Sequence, residues 1–325
     1  GVDFALWNRL RGSVEWFDRQ SRDLLYNYTA PQPPYIYSTI LVNVGTTVNR
    51  GIEVSLEGDA FKGTPVEWTT GVNYSYGTTK LDKLSNSLYK ASYVELYQKP
   101  GVGTSEYFFR VEEGSKIGQF YGYEYAGVEN GDMMIYTDEG EKVPVSKADV
   151  KYKRHIGNGT PTSYLSWSNT LRYKNFDLVV DLQYMFGNDV LDISKHSAED
   201  RTGIANSYKT VLNAWTPENQ NTMIAQIRPT GAGYTTNIDS HFVEDGSFLR
   251  GKNLVLGYTF PAELTKKISI KYLRVYGSVQ NFFLITKYNG YDPEVSDATQ
   301  TFAQGITVFG YPKPRTFTIG LNVSF

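Results

Sequence analysis

Three histidines, His155, His196 and His241, are the obvious candidates for metal binding or proton transfer. None stands in a His-x-x-x-His or Glu-x-x-His spacing, so the sequence marks no metal site. There is no cysteine, which excludes thiolate ligation and disulfides. No nucleophile elbow and no phosphate-binding loop is present. Glu199 and Asp200 are adjacent acids that read as a solvated loop face. Asp132, Asp138, Glu139 and Glu141 lack the regular spacing of a calcium loop and read as a solvated hairpin tip. A carboxylate pair for glycoside hydrolysis needs only proximity in space, and no spacing marks one. The chain is therefore expected to be no enzyme, to use no cofactor and to hold no metal.

Binding chemistry is better represented. Asp292, Pro293 and Glu294 follow Tyr288 and Tyr291. Asp before Pro starts a turn, and tyrosines pack beneath such turns, so the group either orders a loop or contacts a bound molecule. Trp215 and Tyr234 lie in a long irregular stretch. Exposed, they would stack on the apolar faces of sugar rings; buried, they would fold the loop on itself.

These residues need a scaffold, and the chain supplies strands. In the last eleven residues Phe317, Ile319, Leu321, Val323 and Phe325 alternate with Thr316, Thr318, Gly320, Asn322 and Ser324. That is period two, apolar on one face and small or polar on the other. The same pattern predicts strands over 2–7, 12–26, 46–58, 65–79, 161–173, 175–187, 245–259, 268–283 and 313–325. A hairpin near Gly118–Val128 and Met133–Thr137 would raise the count from nine to eleven. Glu53, Glu57, Glu67, Asp177 and Asp181 fall on the polar faces.

The links between strands alternate. Short ones fall at 8–11, 59–64, 174–175 and 260–267, and long ones at 27–45, 80–160, 188–244 and 284–312. All long links then lie at one end. An outer-membrane β-barrel has this asymmetry, with short periplasmic turns and long extracellular loops. A soluble sandwich has no reason for it. Trp7, Trp16, Phe17, Trp68, Tyr74, Tyr76, Tyr173, Tyr184, Phe186, Tyr258 and Phe260 sit near strand ends, where aromatic girdles meet the two membrane interfaces. Mean hydropathy is −0.39, which a barrel permits because only every second residue faces lipid. There is no apolar run long enough for a transmembrane helix. The net charge of −2 gives no pull toward nucleic acid.

Several segments resemble the C-terminal half of SusC/RagA-like TonB-dependent transporters. They are Asn43–Val54, Gly118–Tyr123, Ile156–Pro161, Phe242–Arg250, Leu256–Pro261, Leu273–Tyr276, Ser278–Phe283, Thr286–Glu294 and Arg315–Phe325. The resemblance implies an all-β chain forming about nine to eleven strands of a plugged barrel of about 22. Residues 1–325 would be the C-terminal part of that barrel, with the plug and the N-terminal strands on a segment upstream of Gly1. It implies a SusD-like surface lipoprotein as a lid, the TonB complex acting through the plug, and membrane lipid and lipopolysaccharide around the wall. Cargo would be an oligosaccharide or a peptide. In that frame Trp215, Tyr234, Tyr288, Tyr291, Asp292 and Glu294 are candidate contacts to substrate or lid. Glu53, Glu57, Glu67, Asp177 and Asp181 face the plug. Phe325 resembles the terminal aromatic read as an assembly signal. The alternatives are a passive porin, and a surface adhesin or other all-β binding module.

Overall fold

The structure is a computed structural model that describes residues 1–30, 32–34, 36–85, 91–98, 107–199, 206–228, 237–294 and 303–325. Nine strands form one antiparallel sheet in chain order. They are β1 (Val2–Leu6), β2 (Leu10–Thr29), β3 (Thr39–Phe61), β4 (Val66–Lys83), β5 (Ser163–Tyr173), β6 (Phe176–Phe186), β7 (Phe248–Thr259), β8 (Tyr272–Thr286) and β9 (Thr316–Ser324). Every strand predicted from alternation is present.

Register sorts the side chains into rows across the sheet, because directly opposed residues point to the same face. One such row runs Val66, Tyr173, Phe176, Tyr258, Val275 and Leu321. Another runs Leu56, Val72, Trp167 and Leu182. The opposite face carries rows such as Ser13, Ser55, Asn73, Ser166 and Gln183. The apolar face is left open: Phe317, Ile319 and Leu321 are 72 %, 86 % and 65 % exposed. Among the described residues none packs on it, as expected of a face that meets lipid. From the Tyr173 row to the Tyr76 row is ten residues along each strand. At about 3.4 Å per residue and a tilt near 45°, that spans roughly 24 Å, the height of the apolar band of a membrane barrel.

Two features break the expected pattern of that face. Phe17 is not part of a girdle. It stands on the polar face opposite Gly51, where an added Cβ would lie 2.5 Å from its ring, and the Arg19 guanidinium lies 5.1 Å from the ring centre. Conversely, Thr70 and Asn169 sit on the apolar face. Trp68 Nε1 donates to Asn169 Oδ1 at 3.1 Å, Thr70 Oγ1 donates to the same oxygen at 2.9 Å, and Trp167 Nε1 donates to Thr70 at 2.8 Å. The two indoles cover the polar pair, and Asn169 is 8 % exposed.

The short connections are tight. Trp7 and Asn8 both take positive φ, and Arg9 N–H donates to Leu6 O. Lys174 takes φ +53 between β5 and β6. The β7–β8 turn is a brief helix, Ala262–Thr265, and a 3-10 turn, Lys266–Ile268. At the other end the first link is shorter than expected, because β2 and β3 continue well past the apolar band and leave only residues 30–38 between them.

The remaining links fold together as a cap of three small sheets. The hairpin expected near 118–137 does form, as Tyr125–Glu129 against Asp132–Tyr136. It pairs with Lys142–Pro144 and does not enter the nine-stranded sheet, so the wall has nine strands from this chain among the described residues. Its burial explains why: Met133, Met134 and Ile135 are consecutive and all buried, so both faces are covered, which a wall strand with a wet inner face cannot satisfy. The cap holds the packed interior, with Phe108, Phe109, Phe120, Ile135, Leu191, Ile238 and Ile306 fully buried.

Candidate functional site

The cap holds an open cavity of about 980 Å³. One wall is the helix Ile193–Glu199 and the residue before it, Asp192. A second is the 3-10 turn Ser240–Phe242 leading into the strand Val243–Asp245. The last long link supplies Tyr288, Tyr291, Asp292 and Phe309. Tyr125, Tyr208 and Met223 also line it.

Buried charge holds these walls together. Lys195 Nζ lies 3.0 Å from Glu244 Oε1. Glu244 Oε2 accepts from the backbone and side chain of Asn289, both at 2.9 Å. Burial pushes the Glu244 carboxyl up, but the Asn289 donors and Lys195 outweigh it and leave it below its ordinary value. Glu199 is not on a solvated face: it is 8 % exposed, meets His241 Nε2 at 3.2 Å and accepts from Thr210 Oγ1 at 2.6 Å. Burial raises its carboxyl, and the hydrogen bonds from His241 and Thr210 more than reverse that. Asp200 lies outside the described residues.

The Tyr288 hydroxyl donates to Asp192 at 2.8 Å, and burial raises its pKa well above that of a free tyrosine. Asp292 is 3 % exposed and works as an anchor. Its carboxylate accepts from Arg250 Nη2 at 2.6 Å, from Glu294 N–H at 2.9 Å and from Lys313 N–H at 3.2 Å. Burial raises this carboxyl, and those three donors together bring it below its ordinary value. Glu294 closes the group against Lys313 Nζ at 2.6 Å. Arg250 belongs to β7, so this buried group ties the last long link to the sheet.

The sequence candidates thus divide. Tyr288, Tyr291 and Asp292 meet at the cavity. Tyr291 is 76 % exposed and available, whereas Tyr288 and Asp292 are committed to internal hydrogen bonds. Trp215 is half-buried beside Gly131 and outside the cavity lining. Tyr234 lies outside the described residues. Asp192, Lys195, His241 and Glu244 were not marked by spacing, because they come from separate links and meet only through the fold.

The acids on the polar face of the sheet form a second region. Glu53 and Asp181 line a groove of about 520 Å³ with Glu15, Ser166, Gln183 and Lys252. Glu57 pairs with Arg11, and Asp177 pairs with Arg274. Glu67 stands opposite Arg172. Among the described residues no group of acids and histidines could hold a metal ion.

No protein-family model matches the chain. Among curated proteins, TonB-dependent receptor P3 of Formosa agariphila is 33 % identical over 347 positions, covering all of this chain and 33 % of that protein. TonB-dependent receptor SusC of Bacteroides thetaiotaomicron is 27 % identical, over all of this chain and 31 % of its own length. Among solved structures, the RagAB peptide transporter superposes with a TM-score of 0.81 at 27 % identity, over 98 % of this chain and 33 % of that one. The chain belongs to the SusC/RagA-like TonB-dependent receptors. It spans about a third of the length of the curated relatives it matches. The nine-stranded sheet is accordingly a section of a SusC/RagA-like barrel wall, with the open face toward lipid and the polar face toward the lumen.

Proposed function

We propose that this chain is the wall and part of the extracellular cap of an active outer-membrane importer of nutrient oligosaccharides or peptides. The observation that carries the reading is the single-order sheet with one open apolar face, short turns at one end and a folded cap with an open cavity at the other. The short turns face the periplasm and the cap faces outward. Residues 1–325 serve as the C-terminal part of the barrel, and the open edges at β1 and β9 pair with further strands, since a bilayer tolerates no unpaired sheet edge. A plug in the lumen is held by the acids Glu53, Glu57, Glu67, Asp177 and Asp181, and couples to TonB. A SusD-like lipoprotein covers the cap.

Cargo meets the cavity mouth at Tyr291 and Phe309, which are 76 % and 64 % exposed. Asp292 and Glu294 position that link. The proposed mechanism is binding followed by gated passage.

The test is uptake of labelled oligosaccharide and peptide pools by host cells carrying the full receptor, with Tyr291→Ala and Phe309→Ala together as the cap variant. Uptake that falls in the variant and stops when TonB is removed supports an importer. Uptake indifferent to TonB means a passive porin. A full-length protein that stays soluble without detergent means a surface adhesin or binding module.

A further inference from the structure

Above the apolar band the outer face of the sheet becomes basic, in an ordered way. The last aromatic row is Trp16, Ile52 and Tyr76. Two residues further along each strand stand Asp18, Arg50 and Thr78, with Arg50 Nε 2.8 Å from Asp18 Oδ2. Two residues beyond that stand Gln20, Val48 and Lys80. The segment around Lys116 extends this row. Lys80 and Lys116 form an antiparallel bridge, flanked by hydrogen bonds from Leu81 N to Ser115 O and from Ile117 N to Thr79 O, each 3.0 Å. Two lysines are therefore directly opposed on one face.

Like charges directly opposed across strands destabilise a sheet. Both lysines are exposed, and neither forms an ion pair among the described residues. The nearby acids do not serve them. Asp18 is taken by Arg50, and Glu113 is turned to cap the N–H groups of Leu84 and Ser85. Asp82, two residues beyond Lys80 on β4, is exposed and makes no ion pair among the described residues. Arg22 stands beside the row with its guanidinium fixed on Gln20 Oε1 at 3.0 and 2.7 Å, again with no carboxylate.

Each two-residue step along a strand tilted near 45° climbs about 5 Å. Lys80 and Lys116 thus lie roughly 10 Å above the aromatic row, and their long side chains can bend back toward it. That is the level of the lipid head groups, which add about 5–8 Å beyond each hydrocarbon boundary.

On the outer-membrane orientation proposed above, we infer that Lys80, Lys116 and Arg22 bind the phosphate of an outer-leaflet glycolipid. Paired ammonium groups with a guanidinium suit a multiply charged phosphate. The site sits on the lipid side of the wall, continuous with the open apolar face and away from the cavity, so its occupant is a membrane lipid and not cargo. Val48 between the cations offers the lipid an apolar contact.

The experiment is native mass spectrometry of the full receptor in detergent, with diphosphoryl lipid A, its dephosphorylated form and inorganic phosphate as probes. Wild type should retain the diphosphoryl lipid in preference to the dephosphorylated one, and millimolar inorganic phosphate should not displace it. Lys80→Ala with Lys116→Ala should bind it about thirtyfold more weakly, and Lys80→Arg with Lys116→Arg should restore binding. Equal retention of the two lipids by wild type, or displacement by inorganic phosphate, overturns the inference. A wild-type receptor that is heat-modifiable in the outer-membrane fraction yet shows no lipid preference sinks this site alone. A receptor absent from that fraction sinks the importer reading and this site with it.

Discussion

Asn169 illustrates what a polar side chain needs on a surface that meets hydrocarbon. Its carbonyl oxygen takes one indole N–H and one hydroxyl. In lipid no water can replace either bond, so Asn169→Ala leaves two donors unsatisfied. The expected cost is about 1–3 kcal/mol, read as a lower temperature for the folded-to-unfolded shift of the barrel band on electrophoresis. Asp292 is the corresponding case in the cap. Asp292→Asn leaves Arg250, 2 % exposed, without its full counter-charge, at an expected cost of about 3–5 kcal/mol. Limited proteolysis should then cut within 287–315 while the sheet stays resistant. Asp292, Glu199 and Glu244 all sit below their ordinary pKa when folded. Their stabilisation is present above the ordinary carboxylate range near pH 4 and is lost as pH falls through the lower folded values. Protection of cap amides, taken relative to the intrinsic exchange rate at each pH, should be unchanged from pH 7 to about 5 and fall steeply below about 4.

For elements, alternation made all nine wall strands legible, because one face meets lipid and the other water. It misled where a residue broke the local rule: Phe17 continues an aromatic run but fills the space left by Gly51 on the inner face. The cap was legible only in part. Its hairpin at Asp132–Tyr136 was expected, but as a wall strand, because a strand buried on both faces carries no period to tell cap from wall. Its charged pairs, such as Lys195 with Glu244 and Glu199 with His241, join residues from separate links, and no local spacing reports such a meeting. The wall reading has a direct check in β9. Phe317→Arg, in the row of Asn169, Val180, Leu254 and Val279 about midway across the apolar band, places a cation against lipid and should cost about 2–4 kcal/mol. Thr318→Arg, one residue on, points to the polar face and should cost much less. Equal losses in folded-barrel yield would mean the faces are assigned the wrong way round.

At the scale of the molecule, every wall strand pairs with its neighbours in the chain, from β1 to β9. Such a sheet can grow one hairpin at a time from either edge. If the β9 edge with Phe325 is where the assembly machinery starts, deleting Phe325 should lower the yield of heat-modifiable barrel in the outer membrane while leaving transcript levels unchanged. The packed interior, meanwhile, lies in the cap around Phe108, Phe120 and Leu191, and among the described residues none packs on the wall's apolar face. The two regions should therefore accept change on different terms. In the cap a swap of Phe120 for Leu must be matched by its neighbours, since solid packing registers every methylene. On the wall a swap of Ile319 for Phe or Leu meets a fluid that reshapes itself around whatever it is given. Lineages of this receptor are then free to drift in the letters that face the bilayer while keeping their polarity, and are held to particular shapes only where protein touches protein.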